Sequence, residues 1–407
     1  MRKSKQIDVN YAYELVLNRL DMTRETGNEE LLEIIRTVLE EMSKEKYFPL
    51  DEKIRISKDL FNAFRRLDVL QDLIQDESIT EIMVNGTEHI FYEKSGHIIQ
   101  SDKRFLSTSK LEDVIQQIVA STNRYVNEVS PIVDTRLEDG SRVNVVLKPV
   151  ALNGPILTIR KFPFEKVTIE QLIQWESISR EAADFLALLV KSKYNIFVCG
   201  GTGCGKTTFL NALSDFIPED ERVITIEDNA ELQISGVKNL VRLEGRNANL
   251  EGEGAVTIRD LIKSALRMRP DRIIVGEVRG DETVDMISSA MLNGHNGSMS
   301  TGHSNSALDM LYRLETMMMM GIDLPLAAIS RQVASALDVV IHLGRLRDKS
   351  RKVLEIVEVL GYEEGKIKLQ TLYKFEEEKM ENGKIIGKHM KVEELAFRDK
   401  LLAAGYS

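Results

Sequence analysis

The chain has 407 residues, 43% hydrophobic and 29% charged, with 54 basic against 64 acidic side chains and a net charge of −10. That length allows two or three domains with real cores; the composition excludes a disordered chain and argues against binding nucleic acid through bulk charge. Two cysteines, Cys199 and Cys204, exclude a disulfide framework and a four-cysteine zinc site. No apolar run approaches the ~18 residues of a membrane span, and no signal sequence is read at the start, so a cytoplasmic location is expected.

Residues 1–66 repeat apolar positions at three- and four-residue spacing in YAYELVLNRLDM, EELLEIIRTVLEEM and ISKDLFNAFRRL, which predicts a small helical bundle. Gly27 and the Phe48-Pro49 pair supply breaks. From 67 to 165 the pattern turns to mixed strand and helix, an α+β domain. TEIMVNG, HIFYEKSGHIIQ and SRVNVVLKP alternate as strands with turns at Ser95-Gly96 and Asp139-Gly140, and SKLEDVIQQIVASTN between them is helical. A short connection follows, with Pro163 and a helix cap at Thr168, and 166–178 is read as a linker. From 179 to 407 the short runs NIFVCG, RVITIED, NLVRLEG, RIIVGE, SMSTGH and DVVIHLG alternate with helices, which indicates an α/β domain whose parallel sheet is buried on both faces. KVLEIVEVLGYEEGKIKLQTLYKF reads as an antiparallel hairpin appended to that sheet. The charged tail from 376 carries no readable element, and MMMM at 317–320 reads as core filler on a helix.

Within the α/β part, GGTGCGKTT at 200–208 (Gly200, Gly201, Thr202, Gly203, Cys204, Gly205, Lys206, Thr207, Thr208) fits the Walker A pattern between an apolar strand and a helix. Glycines let backbone N–H groups converge on phosphate oxygens and the helix start adds its positive dipole. Lys206 is placed to meet the β- and γ-phosphates of ATP and Thr207 to ligate Mg²⁺. Cys204, inside the loop, is expected to react with a thiol reagent if the loop is accessible, and to be protected by ATP. RIIVGEVRG ends an apolar strand in Glu277, which would face the γ-phosphate and orient the attacking water. Gly276 stands where many such sites place an Asp, so Mg²⁺ needs support from elsewhere; Glu227 and Asp228, ending VITIED, are the candidates. Arg136, Arg142 and Arg160 lie on the preceding domain and are either solvated surface residues or arginine fingers.

GHNGSMSTGHSN at 294–305 holds two of the six histidines. Zinc needs three or four ligands at suitable spacing, and neither cysteine is placed to help; a general-base role duplicates Glu277. His303 ends SMSTGH at the carboxyl edge of the sheet and reads as a sensor of the γ-phosphate or of domain movement. His295 closes the helix after Glu277 and either orients Glu277 or caps that helix.

Eight motifs in order, ITEIMVNG, SPIVDTRLEDGSRVN, LTIRKF, GGTGCGKTT, ITIEDNAEL, TIRDLIKSALRMRPDRIIVGEVRG, GHNGSMSTGHSN and LETMMMMGIDLP, resemble the type II/IV secretion ATPase superfamily, most closely its CpaF/TadA-like pilus-assembly branch. The resemblance covers about 67–360 and includes the Gly276-Glu277 ending. It implies a cytosolic hexamer in which a PAS-like α+β domain and a RecA-like P-loop ATPase domain clamp ATP. By motif, Glu227 and Asp228 look like the family's Asp box, Glu277 its catalytic Walker B glutamate, His295 and His303 its His box, and Arg136, Arg142 and Arg160 its phosphate-contacting arginines. Partners implied are inner-membrane platform proteins, which would hold the chain peripherally at the cytoplasmic membrane. Many members read T-x-H-A-N where this chain has Thr301-Gly302-His303-Ser304-Asn305.

The function expected is an ATP-hydrolysing motor for a Tad/Flp-type pilus or a related secretion machine, with no nucleic acid and no zinc. The alternatives are a RecA-like nucleic-acid translocase, disfavoured by 6% aromatic residues and the negative charge, and a nucleotide-gated scaffold that binds ATP without turnover.

Overall fold

The computed structural model describes residues 9–406 except 21–23, 25, 46, 48, 123, 163–165, 247, 249–252 and 293. Phe48 and Pro163, read above as breaks, lie outside the described residues. The chain divides into two compact units, Met1–Phe164 and Glu165–Ser407.

In the first unit, helices α1 (Val9–Leu17), α2 (Asn28–Glu45) and α3 (Leu50–Arg65) bury Ala12, Val16, Leu31, Ile35, Val38, Leu39, Ile56 and Leu60 against one another. A short α4 (Gln71–Gln75) leads into six strands: β1 (Ile79–Asn85), β2 (His89–Lys94), β3 (His97–Gln100), β4 (Ile132–Arg136), β5 (Arg142–Val146) and β6 (Ile156–Arg160). They form one antiparallel sheet in the order β3-β2-β1-β6-β5-β4. Helix α5 (Thr108–Ala120), capped by the Ser107 hydroxyl, sets Leu111, Val114, Ile115, Ile118 and Val119 on the face that carries Ile82, Val84, Val143, Val145, Leu157 and Ile159. Each contributing strand supplies alternate residues to that face, as the pleat requires. Lys110, in the first turn of α5, ties that helix to α1 and α3: its Nζ donates to Ala63 O at 2.6 Å and Tyr13 Oη at 3.2 Å, beside the stacked rings of Tyr13 and Phe64.

The second unit opens with α6 (Ile169–Gln174), closed by a reciprocal Thr168–Gln171 capping box, and α7 (Arg180–Lys191). Its strands are β7 (Ile196–Gly200), β8 (Arg222–Glu227), β9 (Asn239–Glu244), β10 (Arg272–Val275), β11 (Met299–Gly302), β12 (Val339–Arg345), β13 (Arg351–Glu363), β14 (Lys366–Glu381) and β15 (Lys384–Lys391). The sheet order is β15-β14-β13-β12-β7-β11-β10-β8-β9, parallel from β12 to β9 and antiparallel beyond β12. One face, with Ile196, Val198, Val223, Ile274 and Ile341, packs on α7 and α8 (Lys206–Ser214). The other, with Phe197, Cys199, Ile224, Ile226, Val275 and Val340, packs on α9 (Ile258–Ala265), a π-helix (Asp285–Met291), α10 (Ala307–Gly321) and α11 (Leu326–Ala336). Burial on both faces explains the unbroken apolar runs.

Two expectations are corrected here. The tail from 376 is structured: β14 runs to Glu381, and β15 returns through an Asn382-Gly383 turn whose two φ angles are 52° and 77°, the hairpin geometry such a pair favours; the chain then closes with α12 (Asp399–Ala403). The MMMM run fills the core only in half, because α10 points Met317 and Met318 inward and leaves Met319 and Met320 exposed. No helix among the described residues is long and apolar enough to cross a membrane.

Candidate nucleotide site

The site is built at the carboxyl edge of the parallel sheet. Fully buried β7 runs out at Gly200, and the loop 201–205 turns into α8 with Gly205 at its N-cap in the left-handed region, φ 96°, where a side chain would be strained. Lys206 is buried. Its Nζ donates to the carbonyls of Gly200 and Gly201 and to Nδ1 of His303, each at 3.2 Å. Burial holds its ammonium below the usual lysine range. Thr207 and Thr208 are half-buried on the first turn of α8, and Thr202 is exposed on the loop.

Glu277 follows β10, and His303 follows β11, the strand lying between β10 and β7. Nε2 of His303 stands 3.0 Å from Oε1 of Glu277, and Oε2 of Glu277 accepts from the guanidinium of Arg279 at 2.7 Å. Oε1 is buried and has no hydrogen-bond partner, so the contact with His303 is one of proximity rather than a directed bond. Accepting from Lys206 requires a bare Nδ1, which leaves the proton on Nε2 facing Glu277. Burial, with Lys206, Arg279 and Arg313 nearby, pushes His303 below its ordinary value against the pull of Glu277, in keeping with that neutral ring. Lys206, His303, Glu277 and Arg279 thus form one connected row across three strand ends.

Glu227 ends β8, the strand beside β10. It is buried, and its Oε1 accepts from the backbone N–H groups of Glu231 and Leu232, both at 2.8 Å. Burial outweighs those donors and Arg242 and pushes the carboxyl up to about 7. Through Oε1 it braces the 228–232 turn. Its position also explains Gly276, since a Cβ there would lie 2.9 Å from Glu227 Cγ. Asp228 is exposed beside it, in electrostatic reach of Arg279.

His295 does not join the row. Its Nδ1 meets Pro270 O at 3.0 Å, before β10 begins, while Glu277 lies beyond that strand's other end. The reading that it orients Glu277 or shares the sensing edge is corrected by the topology: β11 separates the two histidines. Cys204 is corrected too. Its side chain points into the core rather than to the loop's open side, it is 3% exposed, and burial raises its thiol.

Residues that carried no signal in sequence also reach the loop. Arg351, 148 positions from Gly203, donates through Nε to its carbonyl at 2.9 Å from the start of β13, and Arg345 is its cross-strand partner on β12. On the first unit, Arg136 pairs in register with Arg142, and Arg142 with Arg160, so the three arginines form one row across β4, β5 and β6. Glu81 of β1 stands opposite Arg160 on its other side.

The match to the family model "Type II/IV secretion system protein" spans residues 65–391, and the chain belongs to that family. It is 35% identical over 311 residues to a putative conjugal transfer protein of Mycobacterium tuberculosis, covering 75% of this chain and 87% of that one. It is 32% identical over 322 residues to the type IV secretion system protein PtlH of Bordetella pertussis, covering 71% and 93%. The X-ray structure of the Legionella pneumophila ATPase DotB shares the fold, with a TM-score of 0.52 at 22% identity over 71% of this chain and 79% of that one. The architecture is accordingly a RecA-like P-loop domain preceded by a PAS-like α+β domain and an N-terminal helical bundle.

Proposed function

We propose that the chain hydrolyses ATP at the edge formed by 200–208, Glu277 and His303, and that turnover powers a type II/IV secretion machine of the Tad/Flp pilus-assembly kind. The observation that carries this is the connection from the buried Lys206 through His303 to Glu277, whose Oε1 is buried with a lone pair to offer. The residues fit a triphosphate: the backbone N–H groups at the start of α8, the loop glycines and Lys206 supply donors and positive charge for phosphate oxygens. No group of three or more His, Cys, Asp or Glu among the described residues is arranged to hold a metal ion. A divalent ion would therefore depend on phosphate oxygens, as Mg²⁺ commonly does, with Thr207 and Asp228 to hold it. Bound there, Mg²⁺ would neutralise charge developing on the phosphates.

On this reading Lys206 binds and neutralises phosphate, Glu277 orients the attacking water and accepts its proton, and His303 reports the state of Lys206 to Glu277. Arg136, Arg142 and Arg160 are the arginines that complete the phosphate site when the chain assembles as a hexamer. Glu227 shapes the edge without touching substrate. The bundle at 1–66, the α+β domain at 67–165 and the ATPase domain at 179–407 would then be the working parts, with 166–178, expected as a linker, packed by Ile169, Leu172 and Ile178 into the core of the second unit. The motor acts in the cytoplasm, held at the membrane by platform proteins of the pilus machine. Relatives named for type IV secretion and conjugal transfer support the secretion setting. The experiment is phosphate release from ATP by the full chain with Lys206→Ala as control. Turnover no higher than in the control would leave a non-hydrolysing scaffold, and several-fold stimulation by single-stranded DNA would favour a nucleic-acid translocase.

A further inference from the structure

Glu277 and Arg279 flank the buried Val278, just after β10 ends at Val275, and their side chains meet. That stretch is fixed at four donors: Gly276 N–H on Ile226 O, Val278 N–H on Thr301 O, and the N–H groups of Arg279 and Gly280 on the Glu282 carboxylate. Thr301 adds a hydroxyl bond to Gly276 O at 2.7 Å. From this anchored base the Arg279 guanidinium grips Oε2 of Glu277 at 2.7 Å, while Oε1 stays buried and without a hydrogen-bond partner on the side of His303 and Lys206. One oxygen is held and the other is presented. Asp228 and Glu231 face the same guanidinium and, with Glu277, hold its charge firmly. The Arg279 side chain is 60% exposed, so the pair adds little to fold stability.

We propose that Arg279 is a positioning residue for the hydrolysis put forward above: by gripping Oε2 it aims Oε1 of Glu277 at the place where water attacks. The inference rests on that hydrolytic role for Glu277. Arg279 forms no covalent bond and transfers no proton; it acts through geometry and charge. Two other roles for an arginine here predict different behaviour. A counter-ion that restrains Glu277 would raise kcat on removal, and a direct phosphate contact would raise KM.

The test uses the full chain, with ATP turnover and ATP binding measured on the same samples. Arg279→Ala should lower kcat about 10- to 100-fold, the usual effect of losing a group that orients a reacting residue, with KM and ATP affinity within about 2-fold of the parent. Arg279→Lys should recover part of the loss, because it keeps the charge without the planar fork. In a Glu277→Gln background, Arg279→Ala should cost nothing further, since a residue acting only through Glu277 has nothing left to position. An unchanged or higher kcat, a rise confined to KM, or a further loss in the Gln background overturns the proposal. Full activity of Glu277→Gln alone overturns the hydrolytic role of Glu277 and this inference with it. Loss there beside an unaffected Arg279→Ala overturns this inference only.

Discussion

Glu227→Gln should remove a specific pH dependence from the stability of the second unit. The Glu227 carboxyl, 4% exposed, ordinarily titrates near 4.5 and is pushed up to about 7 by burial. The folded state therefore binds this proton more tightly than the unfolded state does. The stability it contributes is complete below 4.5 and is lost as pH rises through 7. At 1.36 kcal/mol per pH unit, the gap between 4.5 and about 7 corresponds to about 3 kcal/mol. A glutamine keeps an oxygen to accept from the N–H groups of Glu231 and Leu232, at 2.8 Å each in the parent, but carries no charge to desolvate. The variant should therefore gain on the parent steadily between pH 4 and pH 8, by about 3 kcal/mol in all. The assay is urea unfolding at a series of pH values followed by Trp175, the single tryptophan, which lies in the second unit. A stability difference that stays constant across that range would refute the buried, proton-binding carboxyl.

The close approach of Gly276 to Glu227 makes Gly276→Ala costly: a Cβ would sit 2.9 Å from Cγ and 3.3 Å from Oε1 of a side chain pinned by two N–H bonds. A loss of about 1–3 kcal/mol is expected in the same assay, relieved when Glu227 is Ala, and a neutral Gly276→Ala would contradict the packing. Both thiols should resist labelling in the folded chain and react together on unfolding in urea, because Cys199 and Cys204 are buried and Cys199 is pushed up to about 12. Rapid labelling of Cys204 in folded protein, with protection by ATP, would restore the open-loop reading.

What was legible in sequence followed from local rules. Strands buried on both faces leave unbroken apolar runs, and GGTGCGKTT carries its own requirement for a strand before it and a helix after it. Hence β7 to β12, the hairpin β13–β14 and the phosphate loop were all readable. The Asn382-Gly383 turn is equally local, but its flanking strands are charged on both faces near the sheet edge and show no apolar alternation. The place of His295 also follows from a local rule: a parallel strand separating two histidines sets them at opposite edges, and β11 lies between 295 and 303. Other features had no local signal. The inward turn of Glu227 depends on a gap beside Gly276, and Arg351 reaches Gly203 from β13, six strands after β7 in chain order. The row of Arg136, Arg142 and Arg160 arises from strand register, which residue type alone does not specify.

On the proposed reading Glu277 performs the hydrolytic step at a loop whose binding of ATP depends on Lys206. The direct measurement is phosphate release and ATP binding by the full chain, by Glu277→Gln and by Lys206→Ala. Glu277→Gln should bind ATP as the parent does yet turn it over at least about 100-fold more slowly, whereas Lys206→Ala should fail to bind. Hydrolysis by Glu277→Gln at the parent rate would contradict it.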